Sequence, residues 1–310
     1  MINTFTSTGM KLIHHPGVIR NLFHGRASPI SLQVAPTSRC NLKCVFCSNA
    51  NRTKHEDIDY EKLIFLLEDL KSLGLKSVEW TGGGDATVYA MINEVIQIAR
   101  MKGLEQGMIT NGVQLREKLR LHTLKALRWM RISVNALEYV PKLDIPDLPN
   151  GTLGFSYVKN EKTTPVVMER IHEHVLKYRP AYVRIVTNCL ATDEEQVENN
   201  KIYAAQVADY GKPYFYQPKS FERSQNCYWC YIKPFLLHDN YVYPCSSVVL
   251  NAGADGRFHE KFRWTRIYTL VEKYQEKVSS FPPDNCNHCV FKSQNDLVDM
   301  ILNPKMENFV

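Results

Sequence analysis

Between residues 30 and 215, short apolar runs alternate with amphipathic ones, and this alternation constrains the fold of the 310-residue chain more than any other feature. Residues 30–34, Ile-Ser-Leu-Gln-Val, alternate around a short strand. Leu63, Leu66, Leu67, Leu70 and Leu73 recur at helical spacing, with Asp57 or Asp59 available as N-cap and Gly74 as the stop. The pattern predicts further strands at 77–80, 107–110, 129–134, 153–158 and 182–186, and helices at 90–101, 166–178 and 193–210. Strands joined through helices at this spacing form right-handed βαβ units on a parallel sheet. Six such units make an α/β fold of the partial (β/α)6 barrel type the expected architecture. Ligands of parallel α/β folds gather at the carboxyl ends of the strands, so the segments that follow the strands should converge on one mouth.

Beyond about residue 215 the rhythm stops. The remaining stretch is aromatic and cysteine-rich, with a hairpin expected around Asp239-Asn240 between arms at 235–237 and 241–243. Three units are therefore expected: an N-terminal extension at 1–29, the core at 30–215, and a small metal-supported domain at 216–310, since so short a piece builds little core alone.

Charge and composition exclude some functions. Lys and Arg number 38 against 32 Asp and Glu, leaving +6. This balance is too weak to argue for nucleic acid but suits an anionic substrate. No run of 18 apolar residues predicts a membrane span, and His14, His15, Arg20, His24 and Arg26 keep the N-terminal region too polar for a signal peptide. A cytoplasmic address is expected. The nine cysteines then argue for metal rather than for a disulfide framework, because a reducing compartment keeps thiols free.

Three cysteines lie in Cys40-Asn-Leu-Lys-Cys44-Val-Phe-Cys47, with spacing C-x3-C-x2-C directly after the first strand. Thiolates this close on one loop can each take a different iron of a cubane and leave the fourth iron open. A structural zinc site wants four protein ligands, and His55 is a candidate for the fourth, so the spacing alone leaves zinc open. With the aromatic Phe46 before its last cysteine, the triplet resembles the signature of the radical S-adenosylmethionine (SAM) superfamily. That resemblance implies a [4Fe–4S] cluster, SAM chelated at the open iron, and reductive cleavage of SAM to methionine and a 5′-deoxyadenosyl radical.

The same resemblance implies further roles. Thr81-Gly82-Gly83-Gly84-Asp85 is similar to the glycine-rich segment that holds the SAM amino group, with aspartate in place of the usual glutamate. Thr110-Asn111-Gly112 resembles the turn after the third strand, and Ser133 and Asn135 the ribose-contacting positions. By their places in the barrel, Lys159 would pair with the SAM carboxylate and Val186 would pack on adenine. A glycine triplet alone is most often a turn, and a lone serine most often a cap. Their order, each after a strand, carries the resemblance.

The second set comprises Cys227, Cys230, Cys245, Cys286 and Cys289. Zinc could take four of these. Cys227-x17-Cys245 followed by Cys286-x2-Cys289 resembles the shortened auxiliary-cluster domain called Twitch, related to the longer SPASM domain, which implies a second [4Fe–4S] cluster on Cys227, Cys245, Cys286 and Cys289. Cys230 would then be a packed thiol, a ligand in place of Cys227, or a hydrogen donor to a substrate radical. The aromatic groups 214–216 and Tyr228, Trp229 and Tyr231 are expected in a small core, or stacked on substrate. Implied partners are a peptide substrate, or a nucleotide, modified base or aminosugar, for which Lys159, Lys212 and Lys219 are hints. A flavodoxin or ferredoxin would supply electrons. A non-catalytic iron–sulfur or zinc scaffold is the alternative of another class.

Overall fold

The computed structural model describes residues 8–49, 56–218, 222–247, 258–282, 286 and 289–305; His55 and Lys219 lie outside them. Six strands follow the expected rhythm: β1 (Ser31–Val34), β2 (Ser77–Trp80), β3 (Glu105–Thr110), β4 (Trp129–Ser133), β5 (Thr152–Lys159) and β6 (Tyr182–Thr187). They lie in sequence order and pair in parallel throughout. Helices α2 (Tyr60–Ser72), α3 (Ile92–Met101), the short α4 (Leu115–Lys118) and α5 (Leu121–Ala126), and α6 (Pro165–Tyr178) lie between them, and α7 (Asp193–Tyr210) follows β6. Of the two candidate caps, Asp59 is the one used, accepting from the Lys62 backbone N–H at 3.1 Å, whereas Asp57 turns to Arg39.

Alternation within the strands explains both faces of the sheet. Leu32, Val34, Val78, Trp80, Met108, Met130, Ile132, Phe155, Val183 and Ile185 are buried in the main hydrophobic core. The intervening residues Gln33, Glu79, Arg131 and Arg184 line an interior cavity of about 920 Å3. A parallel sheet buried on both faces ordinarily reads as continuous apolar runs. Here the inner face is polar, and the barrel encloses a lumen.

Two findings differ from the sequence pattern. Residues Tyr214–Tyr216 form a seventh parallel strand, β7, paired with β6 and half-buried, and so belong to the barrel edge rather than to a small separate core. The hairpin forms as expected from β8 (Phe235–Leu236) and β9 (Tyr241–Tyr243), but β8 also pairs in parallel with the free edge of β1. With β10 (Thr265–Arg266) the result is one ten-stranded sheet in the order β10-β9-β8-β1-β2-β3-β4-β5-β6-β7. Its hydrophobic core is likewise continuous, including Leu32 and Val78 of the barrel together with Phe235, Val242 and Phe262. Covering an edge of the barrel with β8 satisfies the backbone groups that β1 would otherwise leave open.

The C-terminal strands are held by local chemistry. Asn240 turns the hairpin at φ +62°, a left-handed conformation that Asn tolerates better than most residues, and its Oδ1 accepts from the Asp59 N–H at 3.1 Å. Helix α8 (Trp229–Ile232) packs against α11 (Lys292–Leu302), which also meets α1 (Pro16–Phe23) of the N-terminal extension.

Candidate functional site

The segments after β1, β2 and β3 meet at the carboxyl ends of the strands. Arg39, just before the first cysteine, donates from Nε to Asp57 at 3.2 Å, and Thr37 donates to the same carboxylate at 2.6 Å, which fixes the start of the cysteine loop. The glycine segment lies directly on it. Gly84 N–H bonds the Thr37 carbonyl and Asp85 N–H the Arg39 carbonyl, each at 2.8 Å. A Cβ on Gly84 would stand 1.9 Å from the Arg39 carbonyl oxygen, so only glycine permits this backbone approach. Gly83 meets His238 instead, where a Cβ would come within 2.9 Å of the imidazole.

Asp85 is turned inward. Its carboxylate accepts from the Thr87 N–H at 3.0 Å, the Thr110 hydroxyl at 3.0 Å and the Asn111 N–H at 2.7 Å. It ties the loop after β2 to the turn after β3. Asn111 in turn donates from Nδ2 to Asn41 at 2.6 Å and lies 3.7 Å from Cys40 Sγ. Thr81 is buried, and Gly82 is required by the fold of its own loop, since a Cβ there would meet the Gly84 carbonyl at 2.0 Å. The site character of this segment therefore lies in its backbone, while its acid organises the mouth.

Cys40, Cys44 and Cys47 form no disulfide and are partly exposed, with Phe46 half-buried beside them. Burial, then the neighbouring Cys47 and Cys40 thiols, push the Cys44 thiol up to about 12, so the three sulfurs share one electrostatic neighbourhood. Tyr139 accepts from the Val45 N–H at 3.1 Å and pins the loop to the β4 end. Among the described residues, no group of three or more His, Cys, Asp or Glu side chains is placed to hold a single metal ion. A cubane asks for a different arrangement, because each thiolate binds a different iron. Three thiols on one loop, none in a disulfide, fit that demand.

The later strands divide the remaining expectations. Ser133 stands at the end of β4, half-buried. Asn135 is well tied: its Nδ2 donates to the Val158 carbonyl and to Glu138 at 2.8 Å, and its Oδ1 accepts from the Val158 N–H at 2.8 Å. It splices β4 to β5 with both amide hydrogens in use. Lys159 is likewise drawn aside, donating to Gln206 and lying 4.3 Å from the Tyr203 ring centre. Val186 is buried and lines the lumen. A residue without motif signal takes a place here: Glu138 Oε2 is buried without a hydrogen-bond partner among the described residues, and its charge is felt by Cys44. One glutamate on a 3-10 turn has no sequence pattern by which to be found.

In the C-terminal part, the thiols sort themselves. Burial and then Cys227 push the Cys286 thiol up to about 12, with Cys289 adding to it. The Cys245 thiol is raised by burial first, then by Cys227, Cys289 and Cys286. Cys227, Cys245, Cys286 and Cys289 are thus mutual neighbours. Cys230 interacts with Cys227, but it is 0% exposed, lies in the main core and does not line the lumen, whereas Trp229, Ile232 and Lys233 do. That placement counts against a hydrogen-donor role and for a packed thiol. Tyr228, Trp229 and Tyr231 are buried core residues. Cys189, after β6, is partly exposed.

Comparison with known proteins agrees with this geometry. Residues 34–152 match the family model of the Radical SAM superfamily. A GTP 3′,8-cyclase of Thermodesulfovibrio yellowstonii is 26% identical over 113 residues, 34% of this chain and 35% of the cyclase, so the chain spans about a third of that relative's length. Among solved structures, Streptococcus suis SuiB bound to S-adenosylmethionine is similar with a TM-score of 0.55 and 14% identity, over 88% of this chain and 73% of that one. Native anSMEcpe with bound AdoMet and Cp18Cys peptide is similar with a TM-score of 0.51 and 14% identity, over 90% of this chain and 85% of its own. At such identity the two structures show a shared fold.

Proposed function

We propose that this chain, a radical SAM protein over residues 34–152, cleaves S-adenosylmethionine reductively and removes a hydrogen atom from a substrate held in the barrel lumen. The observation that carries the reading is the convergence of three thiols outside any disulfide, the glycine segment and the Asn111 turn on one mouth above a large cavity. Cys40, Cys44 and Cys47 would hold a [4Fe–4S] cluster, which when bound supplies the one electron that splits SAM into methionine and the 5′-deoxyadenosyl radical. The chain's own residues do the rest. Arg39 and Asp85 hold the loops in register, Glu138 offers an acceptor to the cofactor, and the barrel wall shields the reacting centre from water. A substrate held by the lumen residues would then give up a hydrogen atom, with 5′-deoxyadenosine and a substrate radical as the products of that transfer.

Cys227, Cys245, Cys286 and Cys289 would hold a second cluster. Held by these four thiolates, such a cluster would leave no iron for substrate and would supply electron transfer, as an acceptor for the electron of a substrate radical undergoing oxidation. A small reductant such as flavodoxin or ferredoxin would reduce the first cluster. The oxidoreductase reading rests on this second cluster.

Anaerobic reconstitution followed by SAM and a strong reductant tests the proposal. About eight irons per chain and formation of 5′-deoxyadenosine are expected. About four irons with 5′-deoxyadenosine would remove the second cluster and keep the radical chemistry. Zinc in place of iron, with SAM intact, would overturn the reading.

A further inference from the structure

The lumen beneath the mouth is not a neutral void. Arg131 and Arg184 lie on β4 and β6, two and three residues before the strand-end residues Ser133 and Thr187. At about 3.3 Å per residue they sit roughly 7 and 10 Å back along their strands from the mouth. The Nε of each is buried with no hydrogen-bond partner among the described residues. Arg184 spends one other donor on Gln217, at 3.2 Å. Lys233 adds a third cation, and the one carboxylate beside it, Glu79, is already held by Lys233 at 3.0 Å and by Gln33 at 2.8 Å. Lys11 lines the cavity too, while Arg128 and Glu105 pair with each other at its exposed end at 3.7 Å; apart from that pair, Glu79 is the single carboxylate against Arg131, Arg184, Lys233 and Lys11, so the lining carries net positive charge.

Below them, aromatic rings reach into the lumen. Trp129 and Tyr182 line the lumen, and a Cβ on Gly107 or Gly154 would meet them at 2.0 and 2.2 Å, so two glycines let the rings lie across the barrel. Trp229, whose Nε1 is likewise buried without a partner among the described residues, lines the same cavity from the C-terminal side. The unsatisfied groups around the lumen are therefore N–H donors. Buried donors and uncompensated charge cost stability unless a ligand completes them. Burial, with Arg131 close by, depresses the Arg184 guanidinium to about 9, which for a group that keeps its proton at neutral pH expresses that cost.

We infer that the lumen binds a phosphorylated small molecule, its phosphate seated between Arg131 and Arg184 and the remainder rising toward the mouth. A net positive lining matches a phosphate dianion better than a single carboxylate, and the planar guanidinium forks of Arg131 and Arg184 match its oxygens. A cavity of about 920 Å3 suits a molecule of nucleotide size. This inference rests on the radical SAM reading for what happens at the mouth, and specifies the substrate class of that same cavity.

The test uses the anaerobically reconstituted full chain, with pyrophosphate and succinate as probes in calorimetric titrations. Wild type should bind pyrophosphate and bind succinate at least tenfold more weakly. Arg184→Met should lose at least tenfold in pyrophosphate affinity, Arg184→Lys less. Without ligand, Arg184→Met should melt above wild type, because it removes an enclosed, uncompensated charge; a guanidinium with a merely structural role would give a lower midpoint. Wild type that binds neither probe, or binds succinate as tightly, would overturn the inference. So would Arg184→Met that melts lower and binds pyrophosphate unchanged. SAM cleavage by wild type is read separately. Cleavage without pyrophosphate binding leaves the radical chemistry and removes the phosphate site, and binding without cleavage does the reverse.

Discussion

Asp85 illustrates how a motif residue can matter without touching a ligand. Its buried carboxylate gathers the Thr87, Thr110 and Asn111 donors, and so holds together two of the loops that make the mouth. Asp85→Asn replaces one acceptor oxygen with a donor that faces other donors, and should cost about 1–3 kcal/mol. Denaturant unfolding would measure this, and a variant as stable as wild type would show that the carboxylate is dispensable to the scaffold. The residue types of the mouth were legible in the sequence because cysteine spacing and glycine runs are local signals. Their individual duties were not. Asn135 and Lys159 occupy the expected places, yet their polar atoms are spent on Val158, Glu138 and Gln206, residues that only the fold brings near.

At the scale of elements, periodicity located the barrel strands and the long helices, because burial of one helix face or alternate strand residues imprints a period of 3.6 or 2. It missed β7, three residues long and half-buried, whose aromatic sequence Tyr-Phe-Tyr reads equally as strand or core. The hairpin at Asp239-Asn240 was legible from its turn residues, and its stability is open to test. Asn240→Gly should change stability by less than about 1 kcal/mol, since relief at φ +62° offsets the lost bond to Asp59. Asn240→Val should cost several times more, because a β-branched residue is strained there. Thermal melts of the two variants would compare them, and equal losses would place the importance of Asn240 in its side-chain bond alone. Asn295 of α11 does similar work for α8, accepting the Tyr228 and Trp229 N–H groups at 2.8 Å each. Asn295→Ala leaves both donors buried, at roughly 1–3 kcal/mol apiece, and should unfold at lower denaturant.

For the molecule as a whole, the lumen charges couple distant strands to stability. Burial alone would raise the Glu79 carboxyl, but Lys233 and Arg131 outweigh it and hold it below the ordinary Glu value of 4.5. A depressed carboxylate contributes stability that is complete above its unfolded value and is lost as pH falls through the folded one. The stability difference between wild type and Glu79→Gln should therefore be constant above pH 4.5, at roughly 3–5 kcal/mol for a broken buried pair, and shrink on acidification. Unfolding curves between neutral and acid pH would show this, and a difference independent of pH would remove Glu79 as the counter-charge. By itself the sequence determined the parallel α/β barrel and the two cysteine sets, because these follow from local period and spacing. Only the tertiary structure decided that β8 closes onto β1 and that Gln33, Glu79, Arg131 and Arg184 face a shared lumen. Alternation tells which face of a strand is polar. It cannot tell whether that face meets bulk water or the inner faces of the other strands, since that depends on how the whole sheet curls.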